Sequence, residues 1–280
     1  MSVAGAPLTP VDARPSAAAE AGRAIRSWML PIGIFLGALV AWDLLVRILA
    51  LPQFILPAPS AIANAWVTYL PELWASTTYT LVEILLGLVI GCVGGLVFGT
   101  FAARWSAMRE SVLPFAIAVN SIPIIAFAPL INNWFGLDSQ ISKAIVAAML
   151  CFFPVMINTA RGLLHVEPAA LELMRSLAAS DTQTFLAVRW PSALPFIFTA
   201  LKVATTLATI GAVIGEYFGA PSISLGQYIV RYAAYLNLER SWAAISFASA
   251  IGITLYILVV IAERLVMPWH ASYRTTWEGE

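Results

Sequence analysis

The sequence predicts an all-α integral membrane protein with six transmembrane helices and a short amphipathic helix between the fourth and the fifth. Three observations carry that reading. The chain is 60% hydrophobic and 11% charged over 280 residues, with a mean hydropathy of +0.85, whereas soluble domains are about 25% charged. Six apolar segments are long enough to cross a bilayer, which takes about 20 residues at about 1.5 Å rise each. A polar stretch, Arg161 to Pro195, interrupts the apolar runs of the second half.

The expected spans are Met29 to Leu49, Ala75 to Ala103, Ser111 to Trp134, Ile141 to Ala160, Leu194 to Gly219 and Trp242 to Leu265. Pro114, Pro123 and Pro129 must kink or break the third, because proline lacks an N–H and clashes in a helix interior. Residues 1–27 are rich in Ala, Pro and Ser, which reads as a disordered cytoplasmic tail. The next apolar run ends in Trp42, Asp43 and Arg47 rather than a small-residue cleavage site, so it is expected to stay as a membrane helix. Residues 28–74 then hold the first span and an outer interfacial segment, residues 75–268 the main transmembrane domain, and residues 269–280 a cytoplasmic tail.

Charge orients the spans. With the N-terminus inside, cytoplasmic segments hold ten arginines: 14, 23, 26, 104, 109, 161, 175, 189, 264 and 274. Outer segments hold four cations, Arg47, Lys143, Arg231 and Arg240. The excess predicts cytoplasmic N- and C-termini and a cytoplasmic Arg161 to Pro195 loop.

Between the first two spans, Pro52, Pro57 and Pro59 mark an extended stretch, and Ser60 can cap a short helix. Trp66 and Tyr69 on that helix suit the membrane interface. The second span carries Gly87, Gly91, Gly94, Gly95 and Gly99, a small-residue face that lets a neighbouring helix approach closely.

Several function classes are excluded or disfavoured. A net charge of +0 offers no basic surface for nucleic acid. Cys92 and Cys151 lie in apolar runs and read as small hydrophobes. The two histidines, His165 and His270, are far from them, so no zinc-ligand spacing exists. The lysines, Lys143 and Lys202, follow Ser142 and Leu201 rather than glycine, so no phosphate loop is present. No G-x-S-x-G surrounds any serine. The chain is expected to be no enzyme and to bind no cofactor or metal.

Ionisable groups inside spans are costly and raise a functional question by default. Asp43 and Glu263 lie near helix ends, where a local ion pair or snorkelling explains them. Glu83, beside the glycine face, is better explained by a structural hydrogen bond than by a substrate contact. Thr205, Thr209 and Glu216 recur at four and seven residues, on one helix face. That stripe faces either a hydrated pathway or a packed neighbour, and both readings stay open. Asn120, Ser121, Asn132 and Asn133 lie among prolines, where broken backbone at membrane depth must line protein or water, and they form a second polar set. Trp134 and Tyr217 could touch a planar solute or anchor the interface.

Within the polar loop, Leu171, Met174, Leu177 and Ala178 fall at helical spacing, with Glu172, Arg175 and Ser176 turned away. Asp181 can cap a second helix ending before Pro191. The order Glu172, Leu173, Met174, Ala178, Val188, Pro191 resembles the E-A-A-x3-G-x9-I-x-L-P signature of binding-protein-dependent ABC importer permeases. Glu172 and Pro191 agree, while Leu173, Met174, Ala178 and Trp190 replace Ala, Ala, Gly and Leu. The phrases LPQFILPAPSAIANAW, NSIPIIAFAPLINNWFG, FFPVMINT and IGAVIGEYFG resemble the nitrate, taurine, sulfonate, thiamine-pyrimidine and riboflavin permeases of the type I group.

The resemblance implies a bacterial inner-membrane permease subunit for a small organic solute, riboflavin-like or thiamine-pyrimidine-like by preference. It implies a cytoplasmic coupling helix in which Glu172, Leu173, Met174, Leu177, Ala178, Ala179 and Pro191 meet an ATPase subunit that holds ATP and Mg. It also implies a second permease copy and a solute-binding protein on the outer face. Asn120, Ser121, Asn132, Asn133, Thr205, Thr209 and Glu216 are the expected path residues. The competing function is a stand-alone ion-gradient-driven transporter, with Glu83 and Glu216 as coupling carboxylates.

Overall fold

The computed structural model describes residues 17–105, 110–111, 118 and 123–268. It divides into two compact units, Met1–Ser60 and Ala61–Glu280.

The first unit is built on α1 (Ala17–Ile48). The helix starts ten residues before the expected end of the N-terminal tail, because the Ala-rich run from Ala17 has the highest intrinsic helix propensity. Near its end Arg47 Nε donates to Asp43 Oδ2 at 2.6 Å, the expected local ion pair. The same carboxylate accepts from the Ser60 backbone N–H at 3.1 Å and hydroxyl at 2.6 Å. Ser60 lies one residue inside α2 (Pro59–Thr68). The orphan N–H at that helix start is therefore satisfied by Asp43 rather than by a Ser60 cap.

The second unit holds the long helices α3 (Leu70–Arg104), α5 (Gln140–Leu164), α8 (Trp190–Tyr217) and α10 (Leu238–Val266). Shorter elements join them: α4 (Ala128–Phe135), α6 (Pro168–Ser176), α7 (Asp181–Thr184) and α9 (Leu225–Ala234). With α1, five helical segments among the described residues are long and apolar enough to cross a membrane. The expected third span falls largely on residues outside the described set. Of its described residues, Ser111 and Ala118 are helical, and Ile124–Phe127 form a 3₁₀ turn that leads into the eight-residue α4. Pro123 immediately precedes the 3₁₀ turn, and Pro129 sits in the first turn of α4, where its missing N–H has no intrahelical partner to lose.

The centre is a close-packed trio, α5 between α3 and α8. Gly91, Gly95 and Gly99 press on the backbone of α5: a Cβ at Gly91 would stand 2.6 Å from the Ala148 carbonyl oxygen, and one at Gly99 2.6 Å from that of Met156. From the other side, a Cβ at Gly211 of α8 would stand 2.6 Å from Ala147 Cα. The expected glycine face is real and its partner is α5. Gly94 differs, since its added Cβ would meet only the Phe152 ring, at 3.3 Å. Gly91→Val is therefore expected to destabilise the purified chain by about 1–3 kcal/mol through overpacking, with Gly94→Ala near neutral in the same thermal-unfolding assay.

Two polar ties complete the unit. Lys202 Nζ of α8 meets Glu263 of α10 at 3.0 Å, so both intramembrane charges are paired. The Arg240 guanidinium lies 3.3 Å from the Tyr69 ring centroid and 4.3 Å from that of Tyr232, and 3.4 Å from Glu72. Trp66 is only partly an interface residue: its indole N–H donates to Ser246 Oγ at 2.9 Å and its ring packs edge-on against Phe247. Tyr228 of α9 is 1% exposed, and burial pushes its phenol above the ordinary tyrosine range.

Candidate coupling and translocation sites

At one end of the bundle, α6 begins at Pro168, which suits the first helical turn. It contains no buried residue. Leu171 and Met174 are half-buried, while Glu172 is exposed, Leu173 is 60% exposed and Leu177 67%. The expected stripe thus splits. The helix stops at Ser176, so Leu177 and Ala178 belong to the turn beyond it and point away from the body.

That turn is a Schellman motif: Ala178 N–H donates to the Arg175 carbonyl at 2.9 Å and Ala179 N–H to that of Met174 at 3.0 Å. It places Ala178 at φ +52°, a left-handed position that suits glycine. The importer signature has glycine at this place, so the departure in sequence keeps the geometry. Removing the Cβ relieves about 1–2 kcal/mol of left-handed strain against about 0.5–1 kcal/mol of lost chain entropy. Ala178→Gly is accordingly expected to unfold at the same or higher temperature than wild type, and Ala178→Val at a lower one.

Ser180, not Asp181, caps α7. Its hydroxyl accepts from Gln183 N–H while the Gln183 side chain accepts from Ser180 N–H at 2.8 Å, a capping box. Asp181 is the first helical residue, adding favourable negative charge there. The helix also does not stop before Pro191. Residues Phe185–Arg189 form a π turn that runs directly into α8, with Pro191 in its first turn. The wider π winding absorbs the missing proline N–H without ending the helix.

At the opposite end, polar side chains converge on the C-terminus of α8. Glu216 is fully buried and accepts from Thr80 Oγ1 at 2.6 Å and from the Gly226 backbone N–H at 2.7 Å. The second contact sets a carboxylate at the start of α9, where the helix dipole favours it. Thr80 Oγ1 in turn accepts from Leu225 N–H at 3.0 Å. Gln227 Nε2 donates to the Glu216 carbonyl at 2.7 Å, and Asn132 Nδ2 of α4 to the Gly215 carbonyl at 2.9 Å. Carbonyls left open at a helix end are thereby satisfied by side chains of two other elements.

Glu83 and Lys143, both fully buried, complete this cluster. Glu83 adjoins Glu216 and lies in the field of Lys143. Among the described residues neither oxygen of Glu83 receives a backbone N–H or a hydroxyl; its hydrogen-bonding partner is the Glu216 carboxyl group, so the structural hydrogen bond expected of Glu83 is one between two carboxyls. Lys143 does not face outward as its place among the outer charges supposed. It sits in the first turn of α5, donates to the Leu137 carbonyl and points into the bundle.

The remaining polar residues divide by direction. Thr205 and Thr209 are buried within the chain and donate to backbone carbonyls of their own helix, those of Lys202 and Thr205. Asn132 is buried, whereas Asn133 and Trp134 are exposed. Tyr217 is 57% exposed. Asn120 and Ser121 lie outside the described residues. A half-open groove of about 500 Å³ runs between α8, α9 and α10, bordered by Thr206, Thr209, Ser249 and Tyr256 amid isoleucines and valine. Ser249 and Tyr256 escaped the sequence reading because the last span is almost uniformly apolar; their only signal is polar atoms at a seven-residue spacing.

Residues 95–269 match the family described as the binding-protein-dependent transport system inner membrane component. The chain belongs to that family. Its members are non-catalytic membrane components of ABC importers, working with an ATPase and a binding protein, and this permease is a multi-pass inner-membrane protein. It is 33% identical to the riboflavin transport system permease protein RibX of Chloroflexus aurantiacus, over 87% of this chain and 90% of that one. It is 31% identical to the formylaminopyrimidine transport permease protein ThiX of Halalkalibacterium halodurans, over 85% and 95%. The solved structure of an amino acid ABC transporter with histidines shares the fold, at 17% identity and a TM-score of 0.59 over 72% of this chain and 97% of that one.

Proposed function

We propose that this permease carries a small heteroaromatic solute of the riboflavin or pyrimidine kind, driven by an ATPase that grips the α6 turn. The observation that carries the reading is that α6 buries no residue fully and that Leu173 and, in its Schellman turn, Leu177 stand exposed. Exposed leucines on a short rigid helix, beside Glu172, fit a groove on a partner and transmit its displacement. Glu172 pairs with the rim of that groove, Leu173, Met174, Leu177 and Ala179 fill it, Ala178 sets the bend, and Pro191 fixes the start of α8 behind it.

In this reading α6 and both termini face the cytoplasm. The arginine excess supports that orientation, and it grows to ten against three once Lys143 is counted as buried. Two copies of the chain bring their α8–α10 grooves together around the path, with Thr209 and Asn133 on its wall. Thr205, Asn132 and Glu216 hold that wall from behind. The solute arrives from a binding protein on the outer side. The likeness to RibX and ThiX supports the solute class.

The test is uptake into proteoliposomes holding the permease, its ATPase and its binding protein. Labelled riboflavin or an aminopyrimidine should accumulate with ATP and persist when the proton gradient is collapsed. Accumulation by the permease alone, lost on collapsing the gradient, would establish a secondary transporter instead.

A further inference from the structure

A second cavity lies where the apolar span of α3 runs out, between the ends of α3 and α5 and the α7–π segment. Its volume is about 660 Å³, inside the roughly 300–1,000 Å³ range of small-ligand sites. Arg104, the last residue of α3, and Arg189, the last residue of the π turn, both line it. Opposite charge in the lining comes from Asp181, 3.4 Å from Arg104, with both side chains well exposed (90% and 63%). Among the described residues, two guanidiniums against one loosely held carboxylate leave the lining with a net positive charge.

The rest of the wall is apolar and aromatic. Phe101 and Trp105 stack with centroids 5.3 Å apart and are 41% and 51% exposed. Leu164 is exposed beside them, and Phe185 lies behind. A stacked aromatic pair at the end of a membrane span belongs to the headgroup level of a bilayer. Guanidinium forks match phosphate oxygens in charge and in planar geometry, and basic pockets between membrane helices suit anionic headgroups. An acyl chain leaving such a pocket would run along the apolar flank of α3.

We propose that this cavity binds the phosphate headgroup of an anionic phospholipid, with Arg104 and Arg189 on the phosphate and Phe101 and Trp105 against the first acyl carbons. Bound there, the lipid bridges α3 to the segment that connects α6 with α8. The site does not depend on which solute crosses the membrane or on how α6 is gripped.

Native mass spectrometry of the full chain, purified and exposed to equal amounts of phosphatidylglycerol and phosphatidylcholine, tests this. One phosphatidylglycerol per chain should survive delipidation, at least tenfold over phosphatidylcholine. Retention should fall at least tenfold in R104Q/R189Q, with unchanged helical content, and stay at the wild-type level in R175Q, which removes an exposed arginine that does not line the cavity. Equal retention in wild type and R104Q/R189Q, or an equal fall in R175Q, would overturn the site. Glycerol 3-phosphate displacing the lipid completely at millimolar concentration would make it a site for a free anion instead. Should R104Q/R189Q fail to fold, a diazirine-bearing phosphatidylglycerol on the wild-type chain decides: labelling of the peptide containing Phe101 and Trp105 upholds the proposal, and labelling only elsewhere refutes it.

Discussion

Leu177→Arg is expected to leave the permease in the membrane but to remove the ATPase from the purified complex, with ATP-driven uptake lost in consequence. The expectation follows from position. Leu177 is 67% exposed in the turn after α6 and contacts little of its own chain, so an arginine there costs the isolated subunit almost nothing. In a complex the same side chain would meet an apolar groove, and loss of a buried anchor typically costs 2 kcal/mol or more, about 30-fold in affinity. Leu173→Arg should behave alike, being 60% exposed on the same element. Co-purification of ATPase with each variant, beside membrane yield of the permease alone, separates lost docking from lost folding.

Glu216→Ala produces the opposite pattern, a permease that fails on its own. The substitution strands the Thr80 hydroxyl and the Gly226 N–H, which Glu216 now accepts at 2.6 and 2.7 Å in a fully buried setting. It also deprives Lys143 of a nearby negative charge. Breaking one side of a buried charged network costs about 3–5 kcal/mol, a large share of the 5–15 kcal/mol by which domains are stable. Glu216→Gln keeps one acceptor oxygen but presents an amide N–H₂ to a second donor, so an intermediate loss is expected. Thermal unfolding of the purified chain should order them wild type, Glu216→Gln, Glu216→Ala. Transport defects in these variants would then reflect loss of the joint between α3, α8 and α9.

The contrast between Leu177 and Glu216 also shows what the sequence could reveal. Membrane spans are legible because about 20 apolar residues in a row have few alternatives, and the α3 glycines announce close packing because their four-residue rhythm is geometric. Local ion pairs such as Asp43 with Arg47 are legible for the same reason, four residues being one helical turn. The exposed α6 was legible as the one amphipathic helix in a long polar loop.

Inward charges were harder. Lys143 sits close to a polar loop and by sequence counts as an outer charge, yet the first turn of α5 aims it at Glu83 and Glu216, residues far away in the chain. Long-range partners leave no local period. Pro191 misled for a different reason: proline ends an α-helix, but a π turn accommodates it. Ser180 and Asp181 are both good caps, and only the reciprocal bond from Gln183 decides between them. Of the prolines in the third expected span, Pro114 lies outside the described residues, Pro123 precedes the 3₁₀ turn and Pro129 opens α4.

One measurement bears most directly on the claim that the α6 turn receives the motion of an ATPase. The native cysteines, Cys92 and Cys151, are buried at 7% and 0% exposure, so a cysteine placed at Leu177 can be addressed selectively. Leu177→Cys, assembled with the ATPase and treated with a short thiol-reactive photocrosslinker, should give a permease–ATPase adduct whose yield changes on adding ATP. Leu236→Cys, 63% exposed in the turn after α9 at the other end of the bundle, should give none. An adduct from position 236 and none from 177 would contradict the account.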